Sequence, residues 1–251
     1  MPVLAIPAAL GASLCWAAGG LLAHGPARSL GAFEFTRIQL VSCSALLALV
    51  VTGLGGWATV DWRTWPFAAL SAFFGVLLGN LAMIACLRRG GPRRMELLMA
   101  ANPPFAALLG YWVLGEALTP DMALGGTVTL AGVVLAIRHG SPAASRDPYE
   151  QVEGSLAGVV ALGLAAAFCQ AVGLIAIKPV MSAGADPLTA SLLRTGAAAL
   201  MITLIALWPA RAFLAGSPLT PPLLLRTLVP GIMGYVLAVT LLLYALDNYH
   251  V

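Results

Sequence analysis

The sequence predicts an all-α membrane protein of two inverted five-helix repeats, the second lacking its last two helices, so that about eight helices cross the bilayer. Three observations predict it. Of 251 residues, 60% are hydrophobic and only 9% charged, with a mean hydropathy of +0.93; soluble domains are closer to half apolar and a quarter charged, and no water-facing surface can be built from such a composition. Long apolar stretches alternate with short polar breaks, and several exceed the ~18–20 residues that span a ~30 Å hydrocarbon core, where lipid offers the backbone no partner outside a helix. Finally, the segments on either side of the polar stretch from Arg138 to Glu153 look alike.

Helices are expected at about residues 3–23, 33–54, 66–87, 95–114, 122–138, 155–177, 187–208 and 227–246. The first, starting at Val3, has no positive segment ahead of it, and Leu14 before Cys15 spoils a cleavage or lipidation site, so it reads as an uncleaved span ending at Gly25-Pro26. Gly55-Gly56 ends the second, and Arg88-Arg89-Gly90-Gly91-Pro92 the third. Pro103-Pro104 falls inside the fourth and should kink it, freeing carbonyls near Met99 and Ala100. Thr119-Pro120-Asp121 opens the fifth, Lys178-Pro179 ends the sixth and Pro209 the seventh.

The organisation is then a first repeat at 1–138, a connecting loop at 139–153 and a second, shortened repeat at 154–251. In the first, Gly19 is followed by Gly25-Pro26, Ser29-Leu30-Gly31-Ala32 and Arg37; in the second, Gly173 is followed by Lys178-Pro179, Ser182-Ala183-Gly184-Ala185 and Arg194. Phe74-Gly75-Val76 and Ala85-Cys86-Leu87 answer Met233-Gly234-Tyr235 and Tyr244-Ala245-Leu246. Five helices are an odd number, so the second copy starts from the opposite face, and inverted repeats around a midplane site are a recurrent carrier architecture. Nothing after Leu246 answers Met95–Ile137. The chain is therefore expected to insert, to be less stable than a ten-helix relative and not to carry solute alone, unless a homodimer covers the gap.

Intramembrane polar groups are costly, and those deep in a span are candidate functional residues. Trp16, Asn80 and Asn102 are expected about seven residues from helix ends, roughly 10 Å deep at 1.5 Å per residue, with Arg37 entering from the same side. Gln170 and Arg194 lie at similar depth from the other face, and Tyr235 and Thr240 follow along the eighth helix. Trp16, Arg37, Asn80, Asn102, Gln170, Arg194 and Tyr235 are thus the candidate substrate-binding residues. A buried guanidinium must be paired and can grip a carboxylate through two parallel hydrogen bonds; Arg37 can instead pair with Glu34 one turn away, and Arg194 can snorkel. Glu116 reads as a solvated or capping turn residue.

Gly75-x-x-x-Gly79 and Gly154-x-x-x-Gly158 read as packing motifs, and Gly79, Ala106 and Gly110 as contacts of the fourth and fifth helices with the third. Cys15, Cys43, Cys86 and Cys169 stand singly among apolar residues, and His24, His139 and His250 fall in or near loops, so no metal site and no cofactor are expected. No nucleophile with an attendant base and no phosphate loop appears, which argues against an enzyme. The net charge of +3 comes from loop clusters, speaks of topology and implies no nucleic acid.

Asn102-Pro103-Pro104-Phe105-Ala106-Ala107-Leu108-Leu109-Gly110, continuing through Leu114-Gly115-Glu116-Ala117-Leu118-Thr119 to Leu124-Gly125-Gly126 and Ala131-Gly132-Val133, resembles the fourth and fifth helices of the EamA-type branch of the drug/metabolite transporter superfamily. The resemblance covers residues 3–138 well and 155–246 less well. It implies ten helices in two inverted repeats and a carrier of small metabolites, amino-acid-like or drug-like, in the cell inner (plasma) membrane, with lipid and a small solute as partners. A lipid-handling flippase of similar architecture and a non-transporting shortened protein are the alternatives.

Placing Arg28, Arg37, Arg88, Arg89, Arg93, Arg94, Arg138, Arg146, Arg211 and Arg226 on one side leaves only Arg63, Lys178 and Arg194 on the other, which accounts for all 13. By the positive-inside rule the Arg88–Arg94 region is cytoplasmic and the N-terminus outside; the family resemblance implies the reverse.

Overall fold

Every regular element among the described residues is helical. The computed structural model describes residues 5–139, 152–208, 215–239 and 241; the expectations placed on Pro209, Thr240, Tyr244-Ala245-Leu246, His250, Arg146 and Arg211 lie outside them. In chain order the elements are α1 (Ala5–Leu30), α2 (Ala32–Leu54), two 3₁₀ turns (Gly56–Thr59 and Trp62–Thr64), α3 (Trp65–Ser71), a π-helical segment (Ala72–Leu78), α4 (Gly79–Met99), α5 (Asn102–Leu114), α6 (Pro120–Arg138), α7 (Leu156–Ser182), α8 (Pro187–Ala206), α9 (Pro221–Gly231) and a second π-helical segment (Ile232–Ala238). Among the described residues, seven helical runs are long and apolar enough to cross a membrane, one of them being Trp62–Met99, which joins α3, the first π-helical segment and α4. The chain is a multi-pass membrane protein.

Glycine, more than proline, decides where these helices stop. α1 was expected to end at Gly25-Pro26 and its counterpart α7 at Lys178-Pro179, yet Pro26 and Pro179 lie inside their helices. A proline removes one N–H and the helix absorbs the loss, whereas Gly31 (φ 90°) and Gly184 (φ 92°) adopt a backbone conformation that L side chains rarely reach. The chain turns there instead. His24, expected near a loop, is consequently a buried residue of α1.

The expected fourth span is divided. α4 is interrupted at Gly91 (φ 81°, ψ 165°) just before Pro92, so the expected Arg88–Pro92 break separates two helical stretches that meet without a longer loop. Pro103-Pro104 does not kink a helix from within: α4 closes at Met99, Ala100 N–H donates to Glu96 O and Ala101 N–H to Leu98 O, and α5 begins afresh at Asn102 with proline in its first turn. An N–H missing there has no intrahelical partner to lose. Thr119 caps α6 as expected, its side chain accepting from Met122 N–H, with Pro120 as the first helical residue.

Contacts group the described helices into two compact units, residues 1–69 with 179–251, and residues 70–178. In the first unit α2 and α8 lie side by side and antiparallel: Leu47 and Val51 near the end of α2 pack with Leu192 near the start of α8, joined by Ala48, Leu188 and Val236. Thr59 Oγ1 accepts from Asp186 N–H at 3.0 Å, holding the start of α8 to the turn after α2. α9 closes on α2 through Gln39 Nε2, which donates to Thr227 O at 3.1 Å, and through Gly231, which faces Cys43 and Gln39. α1 covers α9 at Gly19, opposite Pro230 O.

In the second unit α7 is the central helix. Ser71 Oγ donates to Gly173 O at 2.6 Å, Gly79 faces Gln170, and Cys86 Sγ meets Val159 O at 3.5 Å, so α7 runs antiparallel to the Ser71–Gly90 stretch. α5 flanks the other side, with Leu98 against Gly163, Asn102 against Ala167 and Gly110 near Ile175. Gly79 and Gly110, expected to join the third, fourth and fifth helices, instead lie against Gln170 of α7 and against the Glu116 side chain with Ile175 of α7 beyond it; Gly126 of α6 meets Pro104 of α5. Gly75 and Gly79 are packing residues within the unit, but Gly154 lies before α7 begins, so the Gly154–Gly158 spacing forms no helix face. The four cysteines are free.

Orientation can be read at sites the fold leaves open. Ala58, in the first 3₁₀ turn, and Arg93 are exposed, whereas Gly91 is buried and held at positive φ. In a cysteine-free background, Ala58→Cys is expected to react with an impermeant thiol reagent in intact cells, and Arg93→Cys only after permeabilisation; the opposite pattern reverses the orientation.

Candidate functional site

The seven candidate residues divide between the two units. Trp16, Arg37, Arg194 and Tyr235 belong to the first, and Asn80, Asn102 and Gln170 to the second.

In the first unit, Arg37 is held on its own helix. Its Nε donates to Glu34 Oε2 at 2.7 Å and its Nη2 to Glu34 Oε1 at 2.6 Å, a two-pronged pair one turn apart. The Glu34 side chain is 7% exposed and that of Arg37 33%. The guanidinium fork that bidentate recognition of a solute would use is therefore occupied. Gln39, two residues further on, was not among the candidates; its hydrogen bond to Thr227 O gives it a packing role.

Arg194 is different. It lies seven residues past Pro187, roughly 10 Å along α8, and its Nε is buried with no hydrogen-bond partner among the described residues. Tyr235, on the second π-helical segment, is close enough to interact with it electrostatically. Gly234, the preceding residue, faces α1: a Cβ there would stand 3.7 Å from Trp16 Cδ1 and 3.9 Å from its Nε1. Trp16 lies 14 residues before Leu30, the end of α1, and thus far deeper than the seven residues expected. Its indole is 40% exposed. One turn of the π-helical segment thus has the indole on one side and the guanidinium on another.

Arg37 and Arg194 do not share a level. Leu192 packs beside Leu47, ten residues past Arg37 on α2, and since the helices are antiparallel, the two arginine backbones stand roughly 12 Å apart along the common axis.

In the second unit two of the three carboxamides, Asn102 and Gln170, meet along one stretch of α7. Asn102 Nδ2 donates to Ala167 O at 3.3 Å. Gln170, one turn on, points its Nε2 at Met83 Sδ, 3.7 Å away, a weak contact that holds the amide loosely. Gly79 abuts the Gln170 side chain, and Asn80 beside it is buried at 6% exposure. Asn102 is the first residue of α5, not a residue well inside a longer helix, because the paired prolines restart the helix there. Lys178 and Glu116, about half exposed, form an ion pair across the ends of α7 and α5. An exposed pair of this kind contributes about 0–1 kcal/mol.

Two clefts of about 150 Å³ each lie in the first unit. One is bounded by Trp62, Trp65 and Ala68 with Leu193 and Ala197 of α8, the other by Gly55, Gly56 and Thr59 with Asp186 and Thr189. Neither is lined by a candidate residue.

Residues 3–138 match the EamA-like transporter family. Comparison with curated proteins gives no match. A solved structure described only as "Crystal structure of protein" is similar over 97% of this chain and 83% of its own, with a TM-score of 0.61 and 17% identity, a likeness of fold.

Proposed function

Because the chain belongs to the EamA-like transporter family, we propose that it carries a small organic solute across the cell's inner (plasma) membrane by alternating access between two inverted repeats. The family is one of transporters, and a multi-pass helical protein with polar side chains inside its spans is the scaffold such work needs.

The observation that carries the repeat reading is a set of matched positions with matched local structure. Gly31 and Gly184, paired in the sequence, turn the chain at φ 90° and 92°. The paired strings Phe74-Gly75-Val76 and Met233-Gly234-Tyr235 each lie in a π-helical segment, a rare conformation. Gly19 meets Pro230 and Met233 in one unit, and its counterpart Gly173 meets Gly75 in the other, so each repeat's first helix packs on the third-helix counterpart from the other repeat. The paired helices α2 and α8 are antiparallel, as elements repeated with inverted topology must be. Rocking of one repeat against the other would expose a midplane site to each face in turn.

Reconstitution tests the proposal against its alternatives. Uptake of tracer solutes from an amino-acid and small-organic panel by the 251-residue protein in liposomes, above empty vesicles, supports the carrier reading and overturns the expectation that this chain cannot carry solute alone. Translocation of labelled phospholipid without solute uptake supports the flippase reading instead. Neither activity overturns both and leaves a non-transporting membrane protein.

A further inference from the structure

We infer that Arg194, beside Tyr235 in the first unit, recognises a carboxylate of the solute, so that the cargo class is organic acids or amino acids bound through their acid end. The inference rests on the carrier reading and deepens it.

Charge bookkeeping within the first unit carries the case. Its described acidic side chains are Glu34, Asp61 and Asp186. Glu34 is taken by both prongs of Arg37. Asp186 accepts from Leu188 N–H and Thr189 N–H as the cap of α8, and Asp61 accepts from Arg63 N–H. None is left for Arg194, whose Nε is buried without a hydrogen-bond partner among the described residues. A guanidinium stays charged at any pH a cell meets, and an unpaired charge inside a span costs a few kcal/mol. An arginine that no described carboxylate of its unit pairs is therefore poised for an anion that comes and goes. Arg88 Nε is also buried and unpartnered, but it stands at the bend near Gly91 rather than within α8.

The surroundings suit a carboxylate attached to an organic body. The Trp16 indole lies against Gly234, the residue before Tyr235, and offers an apolar ring face on that segment. Arginine's planar fork fits a carboxylate with two parallel hydrogen bonds, which a neutral amide cannot reciprocate.

Matched pairs differing only in that group supply the test: N-acetyl-L-leucine against its amide, and benzoate against benzamide, titrated by thermal shift on the purified full chain. The acid of at least one pair is expected to bind about tenfold or more tighter than its amide, the usual strength of a charge-assisted bond. Arg194→Gln should bring the ratio close to one. If that variant is not monodisperse, Arg194→Lys carries the test and should lower the ratio about threefold or more, because a point charge replaces the fork. A wild-type ratio near one, no response to any acid, or a ratio unchanged in the variants overturns the inference. Nanodiscs of pure phosphatidylcholine and of phosphatidylcholine with phosphatidylglycerol separate a soluble acid from a lipid phosphate: the acid preference should persist in both, and its loss with the anionic lipid overturns the soluble-acid assignment. Uptake of neutral or cationic solutes without acid preference leaves the carrier reading standing while this inference fails; the absence of all uptake, with acid binding intact, does the opposite.

Discussion

Gly173→Ala is expected to lower the stability of the folded protein by about 3 kcal/mol, through overpacking that no side-chain rotation can relieve. A Cβ at position 173 would run into Gly75 Cα and lie 2.9 Å from Gly75 N and 3.2 Å from Ser71 O. All three are backbone atoms, and the Ser71 hydroxyl donates to Gly173 O at 2.6 Å on the same contact. Adding one methyl group must therefore push α7 away from the π-helical segment and stretch that hydrogen bond. Helix association in lipid depends on such close approach, because apolar faces gain nothing by leaving hydrocarbon. A drop of roughly 10 °C in the apparent midpoint of the detergent-purified protein is expected from the usual size scaling. Gly132→Ala is the control, since nothing lies near a Cβ there; it should be neutral or slightly stabilising through helix propensity. Equal midpoints for the two variants would show that the Gly75–Gly173 contact does not hold the unit together.

Glu34→Ala is expected to cost about 3 kcal/mol, because it leaves the Arg37 charge within a span without its carboxylate. Arg37→Ala should cost less: the lone Glu34 carboxyl can take up a proton and become neutral, which a guanidinium cannot do. The double variant should then be more stable than Glu34→Ala alone, with a coupling of about 1 kcal/mol or more between the two sites. Arg37→Lys keeps the charge but replaces the two-pronged pair with a single contact, and should fall between wild type and Arg37→Ala. Additive single and double variants would mean that the pair does not hold Arg37, returning its fork to the pool of groups available to a solute. The same four variants assayed for uptake separate a structural arginine from a recognition residue, since only the latter should lose uptake at unchanged stability.

Much of this was legible in the residues. Arg37's alternative of pairing with Glu34 follows from a three-residue spacing, which puts the two side chains on one helix face whatever the fold. Thr119-Pro120 announced the start of α6 for an equally local reason, a side-chain cap followed by a residue that needs no N–H partner. The depth of Trp16 was misjudged because Gly25-Pro26 reads as a stop, and only neighbouring structure shows whether a helix continues through a proline. Asn102 was misplaced by the opposite error: two adjacent prolines proved to be a beginning and not a bend.

The sequence by itself determined that this is an all-α membrane protein, since composition and hydropathy leave the backbone no other way to satisfy its hydrogen bonds in lipid. It also determined the paired order of glycines and polar residues on which the repeat proposal rests, and the family resemblance over residues 3–138. Which helices meet was decided by tertiary structure alone. Small residues permit close approach without naming a partner, so the pairing of Gly173 with Gly75, and of Gly19 with Pro230, could not be read from spacing. The fates of the two arginines parted in the same way. Arg37 found its carboxylate one turn away on its own helix, a local matter, whereas among the described residues every acid of Arg194's unit is engaged elsewhere.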